Sequence, residues 1–132
     1  MMEDYGPESY GVTTDTGKSM QRGSAPYGLQ TQMWKALRKA SDAMSGAGLG
    51  RPGVNSGYRS AGEQESLYKK QPDKTARKGK SVHGLGLAVD LRITGEQYRW
   101  LLKNADRYGL VNLPSEPHHW QLSPERWMRY TG

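Results

Sequence analysis

The sequence predicts a single small α+β domain in which helices pack against a small antiparallel sheet of short strands. Its 132 residues are close to the usual size of one domain. One long segment has the apolar period of a helix, and short apolar runs between Gly- and Pro-rich turns are typical of strands. We therefore expect one domain over residues 27–132. Residues 1–26, rich in Gly, Ser, Thr and Tyr, show neither period and are expected to form a flexible lead-in.

The first element is an amphipathic helix. Its apolar residues recur every three or four positions, with Gln, Lys and Arg between them, and glycines at 46 and 48 provide a stop signal. Its predicted buried positions are Leu29, Met33, Leu37, Ala40 and Met44.

A short strand and a second helix follow. Residues 54–58, which follow the turn at 51–53, predict a short strand. Ser60 and Glu63 fit a capping box, which predicts a helix through about Lys70. Residues 71–82 then form a basic loop, for which a solvated surface is the default interpretation and phosphate contact the sharper one.

The second half of the chain contains the remaining elements. Residues 87–93 predict a buried strand, and Thr94 with Gln97 predicts another capping box. The helix that follows runs to about Tyr108, where Gly109 ends it. Residues 110–113 are extended, 118–122 form the last strand, and 124–130 form a short terminal helix.

Composition excludes several classes of site. The chain has no cysteine, so it has no disulfide, no thiolate zinc site and no cysteine nucleophile. A transition-metal site must therefore use histidine and carboxylate ligands. No run approaches the roughly 18 apolar residues of a membrane helix, and no signal sequence is visible. We expect a chain made in the cytoplasm without a signal peptide and without stable membrane insertion, and its net charge of +6 suggests an anionic partner.

Two segments pair a histidine with a carboxylate: His83 with Asp90, and Glu116 with His119. Asp90 lies inside an apolar run, and a buried carboxylate is costly unless it is paired or bound to a metal. Backbone hydrogen bonds or a pair with Arg92 are the alternatives. Residues 83 and 90 would face opposite sides of one strand, so convergence requires His83 to lie in a turn before it. Likewise, the proline at 117 should hold Glu116 extended and off the last strand.

Three motifs in order carry a family resemblance. The chain resembles the zinc D-Ala-D-Ala carboxypeptidase and L-alanyl-D-glutamate endopeptidase family, which includes VanY-type enzymes and several phage endolysins. The resemblance covers roughly residues 30–122 and implies a hedgehog/DD-peptidase-like fold. The matching residues are Ser56-Gly57-Tyr58-Arg59-Ser60 followed by Gln64 and Leu67; Ser81, His83, Gly86, Ala88 and Asp90 in S-x-H-x-x-G-x-A-x-D; and Glu116, Pro117, His119 and Trp120 in E-P-x-H-W.

The resemblance also implies the roles of individual residues. One zinc ion per chain would be bound by His83, Asp90 and His119, and Glu116 would be the catalytic base. Three protein ligands leave a position open for water, as in other catalytic zinc sites. Arg59 would be catalytic or substrate-binding, holding either a carboxylate or the carbonyl oxygen. The peptide would also contact Ser81, Gln64 and Trp120.

One residue departs from the family pattern. The family usually has Trp where this chain has His118. Because adjacent side chains of a strand point to opposite faces, His118 and Trp120 should point away from an ion held by His119. His118 is then a residue of the rim or surface. The alternative is a shifted register in which His118 is the true ligand.

The predicted function is zinc-dependent hydrolysis of peptidoglycan stem peptides by a monomer that binds no nucleic acid. A phage endolysin or virion-associated lysin, acting at the bacterial cell wall, suits the size and charge. Carboxypeptidase and endopeptidase activity both stay open, because Arg59 suits either.

A non-catalytic basic wall-binding or tail-assembly module is the alternative, and it predicts loss of a zinc ligand or of Glu116. A nuclease built around residues 118–119 is disfavoured, since no histidine or asparagine follows them.

Overall fold

The computed structural model describes residues 7–10, 22–72, 82–113 and 115–131. It confirms the α+β class and the antiparallel sheet. Most of the predicted basic loop, including Ser81, lies outside the described residues. The helices are α1 (Thr31–Gly46), α2 (Ala61–Lys70), α3 (Gly95–Asn104) and α4 (Pro124–Thr131), and the strands are β1 (Gly53–Ser56), β2 (Ala88–Arg92), β3 (Leu110–Leu113) and β4 (Glu116–Leu122).

The sheet has the strand order β1-β2-β4-β3, with every neighbouring pair antiparallel. The two central strands, β2 and β4, pair Asp90 with His119. The last strand begins at Glu116 and not at 118, which corrects the expectation that Glu116 lies off it. Pro117 is compatible with extended backbone, and a register shift where β3 pairs with Glu116 accommodates the irregular end.

Both predicted capping boxes are present. Glu63 N–H donates to Ser60 Oγ and Ser60 N–H donates to Glu63 Oε1, at 3.1 and 2.9 Å. Thr94 and Gln97 make the same reciprocal pair at the start of α3. After α3, a 3₁₀ turn at 105–108 completes the segment that the sequence predicts as helix. Gly109 follows with φ +78°, in the left-handed region, and ends this turn.

The core lies between α1 and the sheet. The apolar side of α1 is buried as predicted, and this helix packs against β4, α3 and the 3₁₀ turn at 105–108. Leu29 is buried too, although it precedes the helix. The sheet and the later helix contribute Val89, Leu91, Leu101, Leu110, Trp120 and Leu122 to the same core.

The turn at Pro7–Tyr10 packs against α4. Tyr10 is 2% exposed, and its hydroxyl donates to the Leu122 carbonyl oxygen. Part of the predicted lead-in therefore contributes to the core, while the domain boundary near residue 26 stays a prediction. Among the described helices, none is both long and apolar enough to cross a membrane.

Candidate active site

The structure brings together His83, Asp90 and His119. Each offers one ligand atom, and the three atoms lie within 4.8 Å of one another. Asp90 lies on β2, and His119 pairs with it on β4. His83 lies in a 3₁₀ turn at Val82–Leu85, before β2 begins, as its odd spacing from Asp90 required. The two imidazole rings meet edge to face with their centroids 5.0 Å apart.

The two oxygens of the Asp90 carboxylate have different surroundings. Oδ2 accepts hydrogen bonds from Ser56 Oγ at 3.0 Å and from Arg59 Nη1 at 3.2 Å. Oδ1 faces His83 Nε2 at 3.4 Å and His119 Nδ1 at 3.6 Å. Among the described residues, Arg92 does not pair with Asp90, since it donates to Asn55 instead. One oxygen thus holds the carboxylate in place and the other points at the histidines.

His83 is oriented by the backbone. Its Nδ1 lies 2.7 Å from the Gly57 carbonyl oxygen, which can only accept, so Nδ1 carries the proton and Nε2 faces Asp90. A Cβ at position 57 would lie 2.6 Å from the Tyr27 carbonyl oxygen, so only glycine lets the Tyr27 backbone pack this closely against residue 57. The His83 carbonyl oxygen in turn accepts from the Arg59 N–H at 3.1 Å. The first two family motifs are therefore joined through their backbones.

His119 is oriented by a side chain. Its Nε2 lies 2.6 Å from Gln121 Oε1, which can only accept, so Nε2 donates and Nδ1 faces Asp90. Burial, followed by the nearby His83, lowers the pKa of His119 to about 3. The ring is therefore neutral at ordinary pH, and its Nδ1 lone pair points into the cluster.

The two carboxyl groups of the site are pushed in opposite directions. Burial acts to raise the pKa of Asp90, but the neighbouring His83 and His119 rings and the Arg59 guanidinium hold it well below its usual range. Glu116 is half-buried, and burial together with the Asp90 charge raises its pKa. Such a divergence is common where one carboxylate stays ionised and the other exchanges a proton.

Arg59 is anchored on two sides. Its Nε donates to Gln64 Oε1 at 3.0 Å, and its Nη1 donates to Ser56 and Asp90. Gln64 is 1% exposed, so the contact that the structure shows is with Arg59 and not with a surface groove. Gln64 is thus placed to hold the Arg59 guanidinium beside the cluster, whereas the family resemblance implies that Gln64 contacts the peptide directly.

Trp120 is also placed differently from the expectation of a substrate contact. It is 1% exposed, packs against Tyr98 and donates from Nε1 to the Pro117 carbonyl oxygen. Alternation along β4 turns Trp120 into the core while His119 faces Asp90, and the substrate contact stays a prediction.

His118 lies at the rim. Its side chain is 52% exposed, yet its Nε2 comes to 4.0 Å from Asp90 Oδ1. It also lines an open groove of about 520 Å³ together with Asn55, Arg92, Tyr98 and Pro117. His118 therefore does not point fully away from the cluster, because the register of β4 becomes irregular on this side.

Sequence reasoning missed the residues that orient the ligands. Ser56 and Gly57 belong to the first family motif, but the resemblance implies no role for them in the site. Gln121 and Tyr10 lie outside the motifs. Alternation alone placed Gln121 on the same side of β4 as His119, which was the available signal for it. Nothing in the sequence connected Tyr10 to the site.

The residues fit a zinc ion. Asp90 Oδ1 is buried and accepts no hydrogen bond within the described part of the chain, although such a group usually has a partner. Two imidazole nitrogens of fixed tautomer face the same point. Two histidines and one carboxylate are a common ligand set of catalytic zinc.

Comparison with known proteins decides the family. The sequence profile of VanY, D-alanyl-D-alanine carboxypeptidase, matches residues 26–132. The chain belongs to this family. The predicted fold, enzyme class and zinc cofactor are thereby confirmed, whereas the roles of individual residues stay predictions. No curated protein sequence matches the chain significantly.

Solved structures agree with this assignment. VanYB in complex with D-alanine-D-alanine is similar, with a TM-score of 0.66 and 25% identity over 81% of this chain and 80% of that one. A VanY D,D-pentapeptidase variant in complex with Zn(II) has a TM-score of 0.60 and 26% identity over 76% and 83%. The Serratia marcescens L-Ala D-Glu endopeptidase ChiX shares the fold, with a TM-score of 0.53 and 17% identity over 87% and 92%.

Proposed function

We propose that this VanY-family chain is a zinc-dependent carboxypeptidase that removes the terminal D-Ala of peptidoglycan stem peptides. The observation that carries the proposal is the convergence of His83, Asp90 and His119 ligand atoms within 4.8 Å, beside a half-buried Glu116. In this proposal those three residues bind one zinc ion. When bound, zinc supplies a Lewis acid that polarises a carbonyl group and makes water more acidic.

Glu116 is the proposed catalytic base. A group that first accepts a proton from water and then donates it to the leaving amine works best when its pKa is not far below neutral pH. Its raised pKa agrees with this role. Asp90, by contrast, stays ionised as a ligand because the charges and hydrogen bonds around it favour the carboxylate.

Arg59 is the proposed anchor for the substrate. Nε and Nη1 are engaged by Gln64, Ser56 and Asp90, which hold the guanidinium beside the cluster and 18% exposed. A further edge of the planar guanidinium can then bind an oxygen atom of the peptide. A terminal carboxylate suits this cation, and VanYB was solved with D-alanine-D-alanine, which supports the carboxypeptidase assignment.

An L-Ala-D-Glu endopeptidase is the second candidate. The open groove beside His118 supports it, because a peptide that continues past the cluster needs such a path. Only this activity would suit a phage endolysin or virion-associated lysin, since removal of a terminal residue does not open the cell wall. The net charge of +6 would assist approach to an anionic envelope in either case.

One experiment separates these activities. Purified protein with zinc is incubated with the pentapeptide L-Ala-γ-D-Glu-L-Lys-D-Ala-D-Ala, and products are identified by mass spectrometry. We expect a tetrapeptide and free D-Ala, formed at least about a hundredfold more slowly by Glu116→Gln and not at all after chelation. Free L-Ala would instead identify the endopeptidase. No product from this peptide or from intact peptidoglycan would refute both, and would favour a non-catalytic wall-binding or tail-assembly module.

A further inference from the structure

We propose that Tyr10 is a positioning residue for zinc binding, acting through Gln121 on the ring of His119. The inference rests on the proposed role of His119 as a zinc ligand. Tyr10 comes from the turn at Pro7–Tyr10, far from every motif of the site along the chain. Its role would make part of the N-terminal segment a component of the metal centre.

Three buried side chains form a directed relay. His119 Nε2 lies 2.6 Å from Gln121 Oε1, and Gln121 Nε2 donates to the Tyr10 hydroxyl at 2.9 Å. The Tyr10 hydroxyl donates in turn to the Leu122 carbonyl oxygen. Tyr10, Gln121 and His119 are 2%, 0% and 5% exposed, so bulk water does not replace these partners.

The direction of the relay follows from its last member. A backbone carbonyl oxygen can only accept, so the Tyr10 hydroxyl uses its single proton on Leu122 and is left to accept from Gln121. Gln121 must then present its NH₂ group to Tyr10 and its oxygen to His119. His119 consequently carries its proton on Nε2, and Nδ1 keeps a lone pair that faces Asp90 Oδ1 at 3.6 Å.

Loss of the Tyr10 hydroxyl removes the acceptor that holds the Gln121 NH₂ group on this side. The amide of Gln121 can then rotate and present its NH₂ group to His119 Nε2. An imidazole that accepts at Nε2 carries its proton on Nδ1, where it opposes metal binding. Partners that fix the tautomer of a metal-binding histidine typically change metal affinity by 10- to 100-fold when they are mutated.

The test measures zinc affinity by competition with a chromogenic chelator. We expect Tyr10→Phe to weaken zinc binding by about tenfold. Tyr108→Phe removes the hydroxyl of a ring that is stacked on Trp100 outside the relay, and it should leave zinc binding unchanged. An unchanged affinity in Tyr10→Phe would overturn the proposal. If the wild-type chain itself binds no zinc, the proposed function fails and not merely the relay.

A second background separates positioning from packing. In Gln121→Glu the side chain has two acceptor oxygens and no NH₂ group to turn toward His119. Tyr10→Phe should therefore have little further effect on zinc affinity in that background. An equal loss in both backgrounds would show that Tyr10 acts only by packing. If Tyr10→Phe fails to fold, Gln121→Met tests the same link, and unchanged zinc binding there would contradict it.

The metal-free protein provides an independent readout. Long-range ¹H–¹⁵N NMR spectra distinguish the two neutral histidine tautomers. We expect the wild-type His119 ring to be protonated on Nε2, and Tyr10→Phe to show a share of the Nδ1-protonated form. Identical His119 signals in the two proteins would contradict the proposed relay, whatever the catalytic activity.

Discussion

The two halves of β4 differ in burial and pairing. Residues 119–122 are buried and pair with β2 or β3 along their length, with His119, Gln121 and Trp120 each tied to a neighbour. Residues 116–118 are half-buried or exposed, and only Glu116 is paired there, next to a register shift. The difference suggests that the strand holds a metal ligand rigidly while it leaves the proposed base beside open space for a substrate.

The largest expected effect separates the two adjacent histidines. His119→Ala should abolish stoichiometric zinc binding and all hydrolysis, because it removes a proposed ligand from the buried half. His118→Ala should retain about one zinc per chain and lose less than about tenfold in kcat/KM, as expected of a rim residue. Metal analysis of the purified variants measures this. Zinc loss confined to the His118 variant would mean that the register of the site is different.

Glu116→Gln should lower kcat by about 10²- to 10⁴-fold, the usual range for loss of a positioned general base. Zinc content and the melting temperature should stay close to wild type, because the change lies in the loosely paired half. Glu125→Gln, on the exposed start of α4, is the matched control and should keep full activity. A Glu116 variant that retains activity would exclude it as the base.

The free energy of unfolding should depend more on the buried residues 119–122 than on residues 116–118. Leu122→Ala removes a fully buried side chain and should lower the free energy of unfolding by about 2–5 kcal/mol. Pro117→Ala, in the exposed half, should change it by less than about 1 kcal/mol. Urea unfolding of both metal-free variants provides the comparison. Equal losses would show that the two halves form one cooperative packing unit.

The smallest expected effect is the pH dependence of stability in the metal-free protein. Burial lowers the pKa of folded His119 from 6.5 to about 3. The unfolded chain therefore takes up a proton that the folded chain refuses, and the free energy of unfolding falls as the pH drops from about 6.5 towards 3. The raised pKa of Glu116 acts in the opposite sense above its ordinary 4.5 and offsets part of the loss.

His119→Asn should flatten this dependence, since it removes the neutral buried ring. Urea unfolding at about pH 7 and about pH 4.5 compares the variant with wild type. His118→Asn is the matched exposed control and should retain the wild-type slope. A His119 variant with an unchanged slope would show that another group controls acid sensitivity.

Much of the fold was predictable because its signals are local. Both capping boxes form between residues that are three positions apart, and the apolar period of α1 indicates which side of the helix is buried. The turn position of His83 was also predictable, since strand alternation left no other way to bring it to Asp90. The predicted start of β4 is two residues late, because Pro117 indicates a strand boundary whereas pairing of Glu116 with β3 extends the strand.

Contacts that orient the site were not predictable in the same way. Gly57 reaches His83, Ser56 reaches Asp90, and Tyr10 reaches Gln121 only after distant segments have packed together. Trp120 differs from these, since strand alternation already predicts that it points away from His119, and its side chain fills the core.

By itself the sequence determined the absence of thiolate chemistry, the α+β class and the candidate zinc ligands, since these depend on composition, short periods and motif order. The tertiary structure alone decided which nitrogen of each histidine faces Asp90 and which oxygen of Asp90 faces them. Those choices depend on hydrogen-bond partners at 2.6–3.2 Å, drawn from segments far apart along the chain. Spacing along a sequence carries no record of them, because a hydrogen bond depends on distance and direction in space.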